Sequence, residues 1–327
     1  MRLATRDMPI IVYRLQPWAF VDKLVFEQCP PGFEVVPMAR DASALERATV
    51  LRDAEFLMGS WVTTTVTLTE EDYAAAPRLK LLQLMSAGYE HVDLGLAARH
   101  GVPVATFGDA MASVVAEHTL LLILAVYRRL LQLDAAVRGG TWRTNEPVLR
   151  ELRGKQVGVI GLGYIGREVA VRLLSFGAEV VYFSRQRHSD AHGLRYLPMD
   201  ELLATSDVVS LHVALAPSTR HLIGARELSL MKPDAVLINT SRGPVVDQTA
   251  LYASLSSGAL AAAGLDVLDP EPPAVDDPLL QLPNVVFTPH NGGQSDQVWP
   301  RVVRTCFANV ERVARGEAPQ FLARPLA

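Results

Sequence analysis

Cysteine is scarce in this sequence, and its scarcity excludes several classes of protein. Only Cys29 and Cys306 occur among the 327 residues, and they stand far apart, outside any CxxC or Cys/His ligand pattern. A disulfide-stabilised secreted domain and a zinc-binding motif are therefore excluded, and we expect no metal site. A chain of this kind suits a reducing compartment, so we expect a cytoplasmic protein.

The sequence also lacks the segments that direct a protein into a membrane or out of the cell. Its longest apolar run, residues 120–127, is too short to cross a bilayer. Residues 1–7 contain two arginines, but no apolar core or small-residue cleavage site follows, which argues against a signal peptide. Charge is nearly balanced, because 31 basic against 35 acidic residues give a net charge of −4. We therefore expect neither a membrane nor a nucleic acid as a partner.

A regular alternation of short apolar, β-branched runs with helical patterns is present instead. With 49% hydrophobic and 20% charged residues, the composition is that of a globular protein, and the length suggests about two domains. In the first part, strands are predicted at residues 10–15, 34–37, 55–59, 80–85 and 102–107. Helices are predicted between them at residues 42–49, 69–75 and 93–100. Such alternation predicts parallel strands joined by helical crossovers.

A long helical pattern at residues 113–138 interrupts this alternation. It contains neither glycine nor proline and ends at Gly139 and Gly140, so we predict one continuous helix. The pattern is longer than a typical helix of a globular protein. We interpret it as the element that joins two domains and contacts a second subunit.

A second alternating series begins at Gly154. Six strands are predicted at residues 155–160, 179–183, 207–212, 235–239, 264–267 and 284–288. The intervening helices are predicted at residues 165–176, 199–204, 225–231 and 248–256. Asp247 is suited to cap the last of these helices and Gly258 to follow its end. Six strands with crossovers form the sheet that a dinucleotide-binding domain needs.

One further helix, at residues 297–315, follows Gly292 and Gly293. Because the first series lacks a closing helix of its own, we infer that this helix returns to it. The sequence therefore predicts an α/β protein with two domains. One is a discontinuous substrate domain, residues 1–112 plus 294–327, and the other is a Rossmann-type nucleotide-binding domain, residues 113–293.

A glycine pattern, GxGxxG, lies between the first strand of the second series and the helix after it. Its residues are Gly161, Leu162, Gly163, Tyr164, Ile165 and Gly166. The first glycine suits a tight turn, the second a close approach to a pyrophosphate, and the third close packing of helix on strand. The N–H groups of the helix N-terminus are suited to bind the phosphates. The alternative is an ordinary glycine turn, but the strand–turn–helix context favours a dinucleotide site.

The residues after the next strand select the cofactor. NAD-binding folds place an Asp or Glu there to accept hydrogen bonds from the ribose, whereas this chain has Ser184, Arg185 and Arg187. A serine hydroxyl and two guanidinium groups would attract a 2′-phosphate, which a carboxylate would repel. We therefore predict NADP(H), with NAD(H) as the alternative cofactor. The competing interpretation of these arginines is a solvated basic loop.

Three ionisable residues follow strands of the second series: Arg242, Glu271 and His290. Ligands of such sheets bind at the carboxyl ends of the strands, so we expect the three side chains to converge. Arginine matches a carboxylate with parallel donors, histidine transfers protons near neutral pH, and a neighbouring carboxylate favours the imidazolium. Alone, each residue also suits a structural role, as a surface charge, a loop cap or a turn residue. Together, beside a dinucleotide loop, they predict hydride transfer to a 2-keto acid.

Over residues 80–290 the sequence resembles the D-isomer-specific 2-hydroxyacid dehydrogenase family. Besides the glycine loop, the matching stretches are SAGYEHVD (86–93), VAEHT (115–119), LSLMKP (228–233), INTSRGPVVD (238–247), GLDV (264–267), EP (271–272) and TPH (288–290). The resemblance implies that Arg242 binds the substrate and that Glu271 tunes His290, the acid/base. It also implies that the backbone of Ala87 and Gly88 holds the substrate carboxylate.

The same resemblance implies the cofactor contacts and the architecture. Asp266 is expected near the nicotinamide, and His212, Thr240 and Gly292 complete the residues that we assign to cofactor binding. The family fold consists of two flavodoxin/Rossmann-like, doubly wound parallel-sheet domains with an active-site cleft between them. A homodimer built on the cofactor domains is expected.

Particular residues narrow the expected activity. The Ser184-Arg185 pair resembles the NADP-using glyoxylate and hydroxypyruvate reductases, so we expect reduction of small 2-keto acids to D-2-hydroxy acids. Formate dehydrogenases of the family have Gln where Glu271 stands, and phosphite dehydrogenases have Lys where Ala87 aligns, so formate and phosphite are not expected. Because the chain ends at Ala327, the regulatory domain of long phosphoglycerate dehydrogenases is not expected either.

Two alternatives remain open. One is a dehydrogenase for a bulkier hydroxy acid, with the side-chain pocket around Trp61, Val62 and Tyr89. The other is a corepressor-like protein, which binds the same cofactor and recruits partner peptides, although the short C-terminus argues against it. Trp299 is expected either to line the substrate pocket or to pack within the last helix.

Overall fold

The computed structural model describes residues 8–60, 67–142, 149–191 and 193–325. The described chain forms two compact units, each with its own parallel β-sheet. The first unit lies within Met1–Met111 and Ser295–Pro325, and the second within Ala112–Gln294. The predicted pocket residues Trp61 and Val62, and residues 1–7, lie outside the described residues.

Short parallel strands form both sheets. Their bounds are β1 Ile10–Arg14, β2 Glu34–Met38, β3 Ala54–Gly59, β4 Leu81–Leu84, β5 Val104–Ala105, β6 Gln156–Ile160, β7 Glu179–Phe183, β8 Arg195–Tyr196, β9 Val208–Leu211, β10 Val236–Asn239, β11 Ala262–Leu265 and β12 Val285–Phe287. Every residue of β3, β9 and β10 is buried. The sequences of such strands are mostly apolar rather than alternating, because helices cover both faces of a parallel sheet.

Helices connect the strands. Their bounds are α1 Ala19–Glu27, α2 Ala44–Leu51, α3 Glu70–Ala74, α4 Leu94–Arg99, α5 Ala112–Tyr127, α6 Leu130–Arg138, α7 Tyr164–Ser175, α8 Met199–Thr205, α9 Ala225–Leu230, α10 Gln248–Ser256 and α11 Val298–Ala314. The Asp247 carboxylate accepts a hydrogen bond of 3.0 Å from the N–H of Ala250, which confirms the predicted cap of α10. Within the described part of the chain, no helix combines the length and apolar character needed to cross a membrane.

Strand order identifies both sheets as doubly wound. The first has the order β2-β1-β3-β4-β5, and the second has the order β12-β11-β10-β9-β6-β7-β8. In the second sheet the order reverses between β6 and β9, and ligands of such sheets bind in the crevice at this reversal. The predicted fold class, two doubly wound parallel-sheet α/β domains, is confirmed.

Helix α1 and strand β8 were not predicted from the sequence. Trp18 precedes α1 and offers no side-chain hydrogen bond to it, so the helix has no recognisable start signal. Strand β8 has only two residues, too few for a pattern, and lies at the edge of the second sheet. The described part of that sheet therefore has seven strands rather than the six predicted.

The prediction of one continuous helix over residues 113–138 is wrong. The described chain has two helices there, α5 and α6, separated at Arg128 and Arg129. Arg129 adopts a left-handed conformation with φ of 49°. This conformation ends α5 without a glycine or a proline, so the pattern gave no sign of the break.

Helix α11 packs within the first unit through a buried amide pair. Asn309 donates a hydrogen bond of 2.9 Å to Gln83 Oε1 on β4. Its side chain also exchanges hydrogen bonds with the backbone of Gln320, at 2.8 and 3.0 Å. Asn309 and Gln83 are only 1% and 0% exposed, so water cannot replace these bonds.

Replacing Asn309 by alanine should therefore destabilise the first unit. The substitution leaves Gln83 Oε1 and the backbone of Gln320 without their partners, at a cost of about 1–3 kcal/mol. We expect a lower urea midpoint in circular dichroism for Asn309→Ala. The matched control is Arg304→Ala, which truncates an exposed residue of the same helix. Equal midpoints for the two variants would show that the amide pair does not stabilise the unit.

Candidate active site

The glycine loop joins β6 to α7 in a geometry that requires glycine. Gly161 has φ of 96°, and a Cβ atom there would lie 2.4 Å from the carbonyl oxygen of His212. A Cβ atom on Gly166 would lie 2.1 Å from the carbonyl oxygen of Gly161. At Gly163, which precedes the first residue of α7, a Cβ atom would meet no atom within 4 Å. The loop therefore packs tightly on the sheet side and is open where a phosphate could approach the helix N-terminus.

The loops after β7 and β9 flank the glycine loop. The N–H of Gly161 donates to the carbonyl of Phe183, at 2.9 Å, and the N–H of His212 donates to that of Ile160, at 2.7 Å. Burial lowers the pKa of His212 to about 3, so its ring is neutral at physiological pH. His212 Nε2 shares a hydrogen bond of 2.8 Å with the hydroxyl of Ser210. This position next to the glycine loop therefore carries no charge.

The loop after β7 contains the residues predicted to select the cofactor. The Ser184 hydroxyl donates to the carbonyl of Gln186, and Arg185 is exposed. The guanidinium carbon of Arg187 lies 4.6 Å from the centroid of the Tyr196 ring, a cation–π contact. The structure thus places all three predicted residues, Ser184, Arg185 and Arg187, on one loop beside the glycine turn.

A third cation near this loop, Arg167 of α7, was not predicted. Its guanidinium donates to the Asp190 carboxylate at 2.9 Å and to His188 Nδ1 at 3.0 Å. The hydrogen bond from Arg167 lowers the pKa of Asp190. Asp190 is the only carboxylate of the loop at residues 184–190, and this pair engages it. The contact between Arg167 and Asp190 could not be predicted from the sequence, because 23 residues separate the two partners.

Asn239 shapes the turn that carries Arg242. Its side-chain oxygen accepts hydrogen bonds from the N–H and the hydroxyl of Ser241, and its amide donates to the carbonyl of Arg242 at 2.9 Å. Asn239 is 1% exposed at the end of β10. The Thr240 hydroxyl lies 3.0 Å from that of Thr119 on α5. These bonds fix the backbone of the turn, from which Arg242 extends.

Close backbone packing joins this turn to the loop that carries Glu271. A Cβ atom on Gly243 would lie 1.8 Å from the carbonyl oxygen of Leu268, so only glycine fits there. The N–H of Leu268 in turn donates to Glu271 Oε1 at 3.0 Å. Arg242 and Glu271 are therefore brought to neighbouring loops at the carboxyl edge of the second sheet.

His290 and Glu271 form the hydrogen-bonded pair that the sequence analysis proposed. Nδ1 of His290 lies 2.6 Å from Glu271 Oε2. Both side chains are about one-third exposed, at 38% and 36%, so a substrate could reach them. His290 has a left-handed backbone with φ of 50°, and its N–H donates to the carbonyl of Asp266 at 2.8 Å. The pair uses one ring nitrogen of His290, which leaves Nε2 for a reacting group.

Asp266 fixes the loop on which His290 lies. Its carboxylate, 4% exposed, accepts hydrogen bonds from the Thr288 hydroxyl at 2.6 Å and from the N–H groups of Asn291 and Gly292 at 3.0 and 2.9 Å. His118 Nε2 lies 3.4 Å from the same carboxylate. Burial opposes ionisation, but the hydrogen bonds from His118, Thr288 and Gly292 outweigh it and lower the pKa of Asp266. The carboxylate is therefore ionised at neutral pH.

His118 and Thr288, which contact Asp266, were not among the site residues predicted from the sequence. His118 Nε2 shares a hydrogen bond of 2.8 Å with the Thr288 hydroxyl, and that hydroxyl donates to Asp266. Both lie in stretches that carry the family resemblance, VAEHT and TPH. The family motifs therefore pointed to both residues, but only the fold shows that His118 of α5 lies beside Thr288, which follows β12.

Ala87 and Gly88 lie in the first unit, on the loop after β4. The Ser86 hydroxyl donates to the carbonyl of Gly88 at 2.8 Å, and Ala87 is exposed. Tyr89 donates to the carbonyl of Arg324 at 3.0 Å. Trp299 is 3% exposed and packs against Trp18, with ring centroids 5.4 Å apart, which favours its packing role. The substrate contacts of Ala87 and Gly88 stay a prediction.

Comparison with known proteins assigns the chain to a family. The model described as "D-isomer specific 2-hydroxyacid dehydrogenase, NAD binding domain" matches residues 120–292. A glyoxylate reductase from Thermococcus litoralis is 36% identical over 300 residues, which cover 89% of this chain and 90% of the relative.

Solved structures of similar proteins support the same family assignment. A glyoxylate reductase from Paecilomyes thermophila superposes with a TM-score of 0.85 at 27% identity, covering 97% of this chain and 98% of that one. An acyclic imino acid reductase, Bsp5, solved with NADPH and D-Arg, has a TM-score of 0.84 at 29% identity over 96% of this chain and 100% of that one. The chain therefore belongs to the D-isomer-specific 2-hydroxyacid dehydrogenase family and is an NAD(P)-dependent oxidoreductase.

Proposed function

We propose that this protein reduces small 2-keto acids, such as glyoxylate or hydroxypyruvate, to D-2-hydroxy acids with NADPH, and catalyses the reverse oxidation. The observation that carries the proposal is the 2.6 Å contact between His290 Nδ1 and Glu271 Oε2. Glu271 follows β11 and His290 follows β12, at the same edge of the sheet as the glycine loop. The similarity to glyoxylate reductases supports the substrate class.

The glycine loop fits a dinucleotide. Gly161 and Gly166 let the loop fold closely against the protein backbone, and a Cβ atom at Gly163, just before the first residue of α7, would meet no atom within 4 Å, so a phosphate could approach the helix N-terminus there. His212, whose pKa is lowered by burial, borders the glycine loop without adding charge. Bound there, NADPH would supply the hydride. We assign Thr240, Asp266 and Gly292 to the nicotinamide side and residues 161–166 to the pyrophosphate.

His290 is the residue that we assign to proton transfer. The contact of Nδ1 with Glu271 orients the ring, so the second ring nitrogen, Nε2, is the one that would carry the transferred proton. As the substrate C2 gains a hydride, Nε2 gives this proton to the carbonyl oxygen, so that a hydroxyl forms and His290 becomes neutral. In the oxidation the neutral imidazole takes the proton back.

Arg242 is the residue that we assign to the substrate carboxylate and carbonyl. Its guanidinium offers a planar set of donors that matches a carboxylate, and Asn239 fixes the turn that presents it. We assign a second contact with the carboxylate to the backbone of Ala87 and Gly88. These contacts would hold C2 in place for hydride transfer.

The loop after β7 supports NADPH as the preferred cofactor. Its exposed cation Arg185, the ring-stacked Arg187 and the Ser184 hydroxyl suit a 2′-phosphate. Its carboxylate, Asp190, is engaged by Arg167 and so opposes the phosphate less. The similar imino acid reductase was solved with NADPH, which is further support.

A homodimer is part of the proposal. Exposed apolar side chains on α6, namely Leu130, Leu131 and Val137, support an interface on the cofactor-binding unit. Their exposed fractions are 50%, 53% and 50%, and all three lie on one nine-residue helix.

The proposed activity predicts oxidation of NADPH in the presence of a small keto acid. Glyoxylate, hydroxypyruvate, pyruvate and phenylpyruvate should be assayed in parallel with NADPH and NADH, by the absorbance of the reduced nicotinamide. We expect turnover with one of the first three acids and a preference for NADPH. Binding of cofactor without turnover of any acid would instead favour the corepressor-like alternative.

Replacing His290 by glutamine should lower kcat by about 10²–10⁴-fold, because the variant has no group to transfer the proton. The Kd for NADPH, measured by fluorescence, should stay within about twofold. A matched control is His100→Gln, which breaks another His–Glu pair, His100–Glu70 at 2.6 Å, in the first unit. Retention of kcat in His290→Gln would refute the acid/base assignment.

Replacing Arg185 by alanine should weaken NADPH selectively. Loss of one charge-assisted hydrogen bond costs about 1.5–3 kcal/mol, so we expect KM for NADPH to rise at least about 10-fold. KM for NADH should change by less than about twofold, because NADH has no 2′-phosphate. Arg195→Ala, which removes an exposed charge bonded to Gln156 at the start of β6, is the control. An equal rise for both cofactors would contradict the assigned contact.

A further inference from the structure

A side chain of helix α5 is bonded to the loop that carries His290. Nε2 of His118 lies 2.8 Å from the Thr288 hydroxyl oxygen and 3.4 Å from the Asp266 carboxylate. The side chains of His118 and Asp266 are 14% and 4% exposed, so water competes little for these contacts. The bond joins residues 170 positions apart and ties the helix to the loop after β12.

His118 is the donor of this bond. The Thr288 hydroxyl has one proton, which it donates to Asp266 Oδ1 at 2.6 Å. Its oxygen therefore accepts from His118 Nε2, and this ring nitrogen carries a hydrogen. Burial raises the pKa of Asp266, but the hydrogen bond from His118 is the largest of the effects that lower it. The N–H of His118 thus serves the hydroxyl and the carboxylate together.

Among the described donors to the Asp266 carboxylate, His118 alone comes from a helix. The other three, the Thr288 hydroxyl and the N–H groups of Asn291 and Gly292, belong to the loop after β12. They move with the loop, whereas α5 is held by apolar side chains in the hydrophobic core of the unit. A side chain on a rigid element positions a site more precisely than one on a loop. His118 therefore gives the loop a fixed reference.

The ring of His118 also packs on the loop. A Cβ atom on Gly292 would lie 3.1 Å from His118 Cδ2, so a side chain there would crowd the ring. His290, in the same loop, has a left-handed backbone with φ of 50°, and its N–H donates to the carbonyl of Asp266 at 2.8 Å. Such a conformation persists only where the surrounding structure holds it. Loss of the bond from His118 would therefore release the segment that sets the place of His290.

The next residue of α5 holds the turn that carries Arg242. The Thr119 hydroxyl donates to the carbonyl of Val115 at 2.8 Å, so the Thr240 hydroxyl donates to Thr119, at 3.0 Å. Thr119 and Thr240 are both buried. Adjacent residues of one helix therefore bond the two loops on which Arg242 and His290 lie.

We propose that His118 is a positioning residue for the reaction, which holds the loop after β12 so that His290 faces the substrate. It acts through its bonds to Thr288 and Asp266. The role rests on the proposed function, in which His290 transfers the proton. No proton transfer is assigned to His118, because its Nε2 proton is bonded to Thr288. A packing role would need only the shape of the ring, whereas the proposed role needs its N–H donor.

Two substitutions separate the N–H donor from the shape of the ring. His118→Phe keeps a flat ring but has no donor, whereas His118→Gln carries an amide N–H at a similar distance from the main chain. With hydroxypyruvate and NADPH, we expect kcat to fall at least about 10-fold in His118→Phe and less than about threefold in His118→Gln. The control is Glu117→Gln, which alters an exposed neighbour on the same helix and should keep the wild-type kcat.

Hydrogen exchange tests the same loop without turnover. The N–H groups of Asn291 and Gly292 are bonded to Asp266, so their protection reports whether the loop is held. Measured by mass spectrometry on peptides that cover these two residues, exchange should be at least about fivefold faster in His118→Phe than in wild type. Exchange in β9 should not change, which separates release of the loop from general unfolding.

Equal kcat and equal exchange in His118→Phe and wild type would overturn the proposal. A His118→Phe variant more active than His118→Gln would also overturn it, because the shape of the ring would then suffice. Absence of turnover in wild type would instead refute the proposed function, and the exchange rates would still decide whether His118 holds the loop.

Discussion

The buried carboxylate of Asp266 is the group on which the functional edge of the second unit depends. It lies directly after β11 and accepts hydrogen bonds from two consecutive backbone N–H groups, those of Asn291 and Gly292, and from the Thr288 hydroxyl. A Cβ atom on Gly292 would lie 2.8 Å from this carboxylate, so the approach requires glycine. His290 lies inside the segment that these bonds fix, which is why its left-handed backbone is maintained.

Parallel strands explain how distant residues form one site. The carboxyl ends of β6, β7, β9, β10, β11 and β12 meet at one edge, so the loops after them can each add a group to the proposed site. The glycine loop supplies open N–H groups, the loop after β10 supplies Arg242, and the loops after β11 and β12 supply the Glu271–His290 pair.

The sequence predicted what is encoded locally and missed what depends on tertiary contacts. The glycine loop, the cap at Asp247 and the Glu271–His290 pair were predictable, because strand ends and short motifs identify them. The contacts of His118 with Thr288 and of Arg167 with Asp190 were not, since they span 170 and 23 residues. The break at Arg129 was also missed: a left-handed arginine leaves no trace in an apolar pattern.

Tracing the transferred hydride tests the central claim, direct reduction at C2 of a keto acid, most directly. Hydroxypyruvate would be incubated with the full chain and NADPH deuterated at the transferable C4 position, and the glycerate analysed by mass spectrometry and chiral chromatography. The account predicts D-glycerate with deuterium bonded to C2 and a hydroxyl proton from solvent. L-glycerate, or glycerate without deuterium at C2, would contradict it.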